Sequence, residues 1–139
     1  MGRIMAIDYG RKRVGLAVTD PQQIIATALD TVPAARIFDY LKEYLSREEV
    51  EQFVVGEPRR MNNMPSESVQ YIEPFVKKLR KTFPGIPVER YDERFTSLIA
   101  SRAMIEGGLP KAKRREKERV DRMSAVLILQ SWMEFAHRK

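Results

Sequence analysis

Three apolar runs in the chain end on an acid. Asp8 follows Ile4-Met5-Ala6-Ile7, Glu57 follows Phe53-Val54-Val55-Gly56, and the pair Asp92-Glu93 follows Val88 to Tyr91. A further acid, Asp121, opens the segment V-D-R-M-S-A ahead of a long apolar pattern. A carboxylate at the end of a buried strand is costly to desolvate unless a cation or a hydrogen-bond donor meets it. The chain has no cysteine, and its single histidine is His137. A histidine-dependent triad, a thiol nucleophile and a cysteine or multi-histidine zinc site are therefore excluded. Carboxylates alone suit a hard, all-oxygen site for Mg²⁺ or Mn²⁺. Two such ions about 4 Å apart activate water and stabilise a leaving oxygen, which is sufficient for phosphodiester hydrolysis without a histidine.

Each acid also has a plainer reading. Asp8 suits a turn before Gly10, and Asp121 suits the positive end of a helix. Asp92 and Glu93 would serve as solvated partners of Arg90 and Arg94. Because strand side chains alternate, one of that pair faces inward and the other outward, and either is a candidate ligand.

The elements that must position these acids follow from periodicity. Ile4 to Ile7, Val14 to Thr19 and Ile24 to Val32 are β-type segments, the first two joined by the polar turn Asp8 to Arg13, and together they predict an antiparallel meander. From Pro33 the spacing of Ile37, Leu41, Tyr44 and Leu45 predicts a helix to about Arg47. Phe53 to Gly56 reads as a buried strand. Val69, Ile72, Phe75, Val76, Leu79 and Phe83 share a helical face that Pro74 should kink or restart. A strand over Val88 to Tyr91 and a short helix from Thr96 or Ser97 through Ile105 follow, the latter ending at Gly107-Gly108. Residues 111–119 read as a mobile basic segment, and Val120 to Ala136 as a last helix begun by Asp121. Ser124, Ala125 and Ile128 fall on the Asp121 face at i+3, i+4 and i+7, and the small pair lets that helix dock closely. Trp132 and Phe135 continue an apolar face and read as core. The order βββαβαβα predicts one α/β domain over residues 1–139, a mixed five-stranded sheet flanked by helices. The later strands need crossovers and so lie parallel. Ligands of such sheets collect at the carboxyl ends of the strands, where Asp8, Glu57 and Asp92-Glu93 fall.

The 139 residues carry 25 Lys plus Arg against 19 Asp plus Glu, a net charge of +6 that favours a polyanionic partner. Residues 111–119 (KAKRREKER) hold six basic and two acidic side chains, or +4 of that total. Arg11, Lys12 and Arg13 in the first hairpin, Arg59 and Arg60 after the fourth strand, Arg94, and Lys113, Arg114 and Arg115 each border a proposed acidic element. They are candidate contacts to nucleic-acid phosphates. Ser66, Thr96 and Ser97 read as helix caps, and Met61 and Met64 as loop packing. No apolar run reaches the roughly 18 residues of a membrane span, and the N-terminus lacks a signal-peptide pattern, so a cytoplasmic location with no membrane partner is expected.

Four segments, I-D-Y-G-R-K-R-V-G-L-A at 7–17, V-V-G-E-P at 54–58, Y-D-E-R-F-T-S at 91–97 and V-D-R-M-S-A-V-L-I-L-Q at 120–130, resemble the YqgF family over nearly the whole chain and in the same order. Bacterial members are described as pre-16S rRNA nucleases and as Holliday junction resolvases. The resemblance implies a ribonuclease H-like fold. It also implies a catalytic metal site of Asp8, Glu93 and Asp121, with Asp92 a weaker ligand and Ser124 part of the last motif. Glu57 departs from the apolar residue often found before this proline; it either adds a fourth acid or is a local variant without catalytic role. The implied function is a metal-dependent endonuclease processing the 5′ end of pre-16S rRNA in ribosome biogenesis. A resolvase acting on four-way DNA is the alternative, and ribosome-assembly proteins are the further partners implied.

Two other classes compete. Asp8 to Gly15 also resembles the first phosphate loop of sugar-kinase and actin-like ATPases, but those close two lobes over ATP and this chain has length for one. A non-catalytic nucleic-acid-binding assembly factor would keep the basic rim and use the acids structurally.

Overall fold

The computed structural model describes residues 2–57, 69–92 and 114–137. Its elements are β1 (Arg3–Tyr9), β2 (Arg13–Thr19), β3 (Ala26–Pro33), a 3₁₀ turn (Ala34–Arg36), α1 (Ile37–Arg47), β4 (Val50–Glu57), α2 (Val69–Thr82), β5 (Val88–Asp92) and α3 (Arg114–His137). The strands form one sheet in the order β3-β2-β1-β4-β5. β1 pairs antiparallel with β2 and parallel with β4, β2 pairs antiparallel with β3, and β4 pairs parallel with β5. The expected mixed sheet and the order βββαβαβα are both present.

β1 is central and apolar on both faces, and alternation sends its side chains to two different covers. Met5 and Ile7 join Leu16, Phe53 and Val55 against Ile37, Leu41 and Tyr44 of α1 and Ile72, Phe75, Val76 and Leu79 of α2. Ile4 and Ala6 join Ala17, Val54 and Tyr91 on the other face, against Ala125, Ile128, Leu129, Trp132 and Met133 of α3. Ala6 and Ala17 on the sheet and Ala125 on the helix belong to this one cluster, and all three are fully buried. Small residues on both sides let the helix axis approach the sheet closely.

Several boundaries differ from the sequence expectation. β3 begins at Ala26, two residues late, because the Asp20 carboxylate accepts backbone N–H bonds from Gln22, Ile24 and Ile25 and closes a turn there. Ile24 and Ile25 are consequently exposed rather than part of a strand. α2 starts at Val69 and runs through Pro74, so the proline does not restart it. α3 begins at Arg114 rather than Val120, so residues 114–119 are helical and Asp121 stands two turns inside the helix, not at its start. Phe135 is 45% exposed, tilted against Tyr91, and is not a core residue, whereas Trp132 is buried as expected. The short helix expected from Thr96 or Ser97 to Ile105 lies outside the described residues.

Candidate active site

Asp8 is not beyond β1 but inside it, one residue from its carboxyl end. Its parity is that of Ile4 and Ala6, so it projects to the face covered by α3, and it is buried. Its position is fixed by the first hairpin. Asp8 is in register with Gly15 and Tyr9 with Val14, after which the Gly10 N–H donates to the Arg13 carbonyl at 2.9 Å. A Cβ on Gly10 would lie 2.6 Å from that carbonyl oxygen, so the turn admits only glycine without distortion. The Ala34 N–H donates to the Lys12 carbonyl at 2.9 Å, which ties the basic hairpin to the turn before α1. Arg11 and Lys12 are exposed and Arg13 is half-buried.

On α3, Ser124 and Ala125 are buried beneath the helix. Asp121 lies one turn before them, and Arg114 and Arg115 lie further back along the same helix. Glu93, Arg94, Arg59, Arg60 and Lys113 lie outside the described residues.

Glu57 and Asp92 do end β4 and β5, and they are in register with each other. Parity nevertheless separates Glu57 from Asp8, because it follows Phe53 and Val55 toward α2. Its Oε1 accepts from Nη2 of Arg90 at 2.8 Å. Arg90 Nη1 also donates to Glu73 of α2. The Arg90 guanidinium beside Glu73 holds that carboxyl below the usual glutamate range. Asp92 shares the parity of Arg90. The acids at the carboxyl edge therefore divide between two faces: Asp8 lies under α3, and Glu57 sits in an ion-pair cluster under α2. Among the described residues, no group of three acids or histidines is placed to hold a metal.

Sequence reasoning does not reveal the role of Arg90. Val55 is in register with Arg90, so Glu57, two residues on, is its diagonal neighbour on the same face. That relation is visible only once the register is known. The same holds for Tyr91, whose hydroxyl lies 2.7 Å from Ser131 Oγ of α3. The neighbouring Glu89 accepts from Trp132 Nε1 at 2.6 Å and from Gln52 Nε2 at 3.0 Å.

The donor set fits a hard divalent cation, since the buried group at the edge is a carboxylate and the chain has neither cysteine nor an internal histidine. No helix among the described residues is long and apolar enough to cross a membrane.

Comparison with known proteins agrees with this architecture. The family model described as "RuvX: Holliday junction resolvase" matches residues 2–135. A Parabacteroides distasonis protein named "Putative pre-16S rRNA nuclease" is 57% identical over 134 residues, covering 96% of each chain. One of the same name from Porphyromonas gingivalis is 58% identical, covering 96% of this chain and 97% of its own. Among solved structures, Thermus thermophilus RuvC in complex with a Holliday junction substrate superposes with a TM-score of 0.59 at 20% identity, covering 98% of this chain and 97% of that one. The likeness to RuvC establishes a ribonuclease H-like fold. With a family model spanning almost its full length and relatives identical at more than half their positions, the chain belongs to the RuvX family, also called YqgF.

Proposed function

We propose that this protein is a divalent-metal-dependent endonuclease whose Asp8, Glu93 and Asp121 hold the cation, with Mg²⁺ or Mn²⁺ bound as a pair of ions. The observation that carries the reading is the placement of Asp8. It is a buried carboxylate at the carboxyl end of the central strand, on the face covered by the helix that contains Asp121. Glu93 directly follows β5 in the sequence, the strand whose Glu89 and Tyr91 bond to residues of α3. When bound, the ions supply Lewis-acid activation of the phosphodiester and of the attacking water.

The chain's own groups bind and orient the substrate. Arg11, Lys12 and Arg13 stand on a hairpin whose turn begins two residues after Asp8, so phosphates held there lie next to the carboxylate. Arg59, Arg60, Arg94, Lys113, Arg114 and Arg115 are the further phosphate contacts in this reading, giving affinity with little sequence choice. Ser124 supports the site by its burial beside Ala125 on α3, whereas Asp92 shares the parity of Arg90 and stands on the other face. Glu57 is not a ligand in this reading, since it faces α2 and pairs with Arg90.

The preferred substrate is structured RNA at the 5′ end of pre-16S rRNA, in the cytoplasm, in company with ribosome-assembly proteins. Two relatives identical at more than half their positions carry pre-16S rRNA in their names. The family description favours branched DNA as the second reading. Incubation of the protein with Mg²⁺ or Mn²⁺ and either precursor rRNA fragments or four-way junctions separates the two, with Asp8→Asn as the control.

A further inference from the structure

The triad Glu57–Arg90–Glu73 has no part in the proposed catalytic set, yet it occupies the same sheet edge. β5 is a five-residue edge strand, paired on one side only, and its last registered pair is Glu57 with Asp92. Each of its three central residues anchors to other elements. Glu89 bonds Gln52 of β4 and Trp132 of α3, Tyr91 bonds Ser131 of α3, and Arg90 bonds Glu57 of β4 and Glu73 of α2. Glu89 and Tyr91 grip β5 from the α3 face. Arg90 is the charged grip on the opposite face, with its side chain mostly buried.

Stability alone is a poor account of this arginine. Its Nε is buried without a hydrogen-bond partner among the described residues, and buried ion clusters are often matched or exceeded in stability by apolar side chains of similar volume. A planar guanidinium does offer what an apolar chain cannot, namely two directional bonds to carboxylates on two different elements.

We propose that Arg90 is a positioning residue. It locks the carboxyl ends of β4 and β5 to each other and to α2, and so fixes the strand end from which the chain continues into Glu93. Glu57 is the strand-side half of this lock rather than a metal ligand. The inference rests on the metal-site reading above and deepens it.

The test is Mn²⁺ titration by calorimetry of wild type, Arg90→Met, Arg90→Lys, Glu57→Ala and Glu57→Gln, with folding of each checked by circular dichroism. Turnover on the cleaved substrate is measured in parallel. Arg90→Met and Glu57→Ala should bind Mn²⁺ about tenfold more weakly, in line with removal of an orienting partner. Glu57→Gln keeps an acceptor oxygen and should recover most of that affinity. Arg90→Lys reaches one carboxylate at a time and should fall between. In turnover the deficit should appear in kcat with KM unchanged, because no phosphate contact is touched. Folded Arg90→Met, or folded Glu57→Ala and Arg90→Lys should Arg90→Met not fold, binding Mn²⁺ within twofold of wild type would overturn the positioning role and leave the metal site standing. Wild type that binds no Mn²⁺ would overturn both.

Discussion

Asp8 and Gly10 are separated by one residue, and the structure explains the pairing. The carboxylate is buried at the strand end, and the glycine lets the chain reverse so tightly that the hairpin strand β2 returns alongside it. Gly10→Ala should force the turn open against the Arg13 carbonyl and cost about 1 to 3 kcal/mol, measured by urea unfolding. Glu73 offers a second check. Arg90 holds its folded-state value below that of the unfolded chain, so the stability it contributes is present above the ordinary glutamate range. That contribution disappears as pH falls through the lowered value. An NMR titration of the Glu73 carboxyl should show it low in wild type and shifted up toward the ordinary glutamate range in Arg90→Met, while an unchanged position would mean the ion pair does not form in solution. At this scale Asp8 is legible in the sequence because an acid after four apolar residues is conspicuous. Glu57 is equally conspicuous, but the sequence leaves its role open: which face it takes depends on strand parity, and a shift of one residue moves a side chain to the opposite face.

The helix α3 is longer than its apolar pattern. Its expected start at Val120 comes from the apolar period, which says nothing about a charged first turn. The helix instead begins at Arg114, with two arginines at its amino end, where the macrodipole disfavours cations. A polyanion at that end would offset the repulsion. Its docked face, in contrast, is readable from the small pair Ser124-Ala125 and from Ile128, all of which are buried. Ala125→Phe should overpack the contact with Ala6 and Ala17, lowering stability by about 1 to 3 kcal/mol and weakening Mn²⁺ binding while the α1 and α2 face stays intact. Unchanged metal affinity in that variant would dissociate helix docking from the site. β1, β2 and β4 are visible in the sequence because their residues are apolar and β-branched. The turn at residues 20–25 is not, since Ile24 and Ile25 look like strand residues until the Asp20 carboxylate is seen to hold them out of the sheet.

For the whole molecule, the sheet order brings the carboxyl ends of β1, β4 and β5 to one edge, and Arg11 and Lys12 stand exposed on the hairpin that leaves it, in a chain of net charge +6. Nucleic-acid affinity should therefore fall steeply with salt. Neutralising Arg114 and Arg115 together should flatten the slope of log K against log salt by about 0.7 to 0.9 for each phosphate that is no longer neutralised, read from filter binding at several ionic strengths. An unchanged slope would assign both residues to solubility. Whether carboxylates at this edge hold the cation of a nuclease is read from Mn²⁺-dependent cleavage of precursor 16S rRNA fragments by wild type, Asp8→Asn, Glu93→Gln and Asp121→Asn. Cleavage by wild type and a drop of at least about a hundredfold in each variant are expected, with RNA binding retained because the phosphate contacts are untouched. Cleavage at the wild-type rate by all three variants would contradict the metal-site reading.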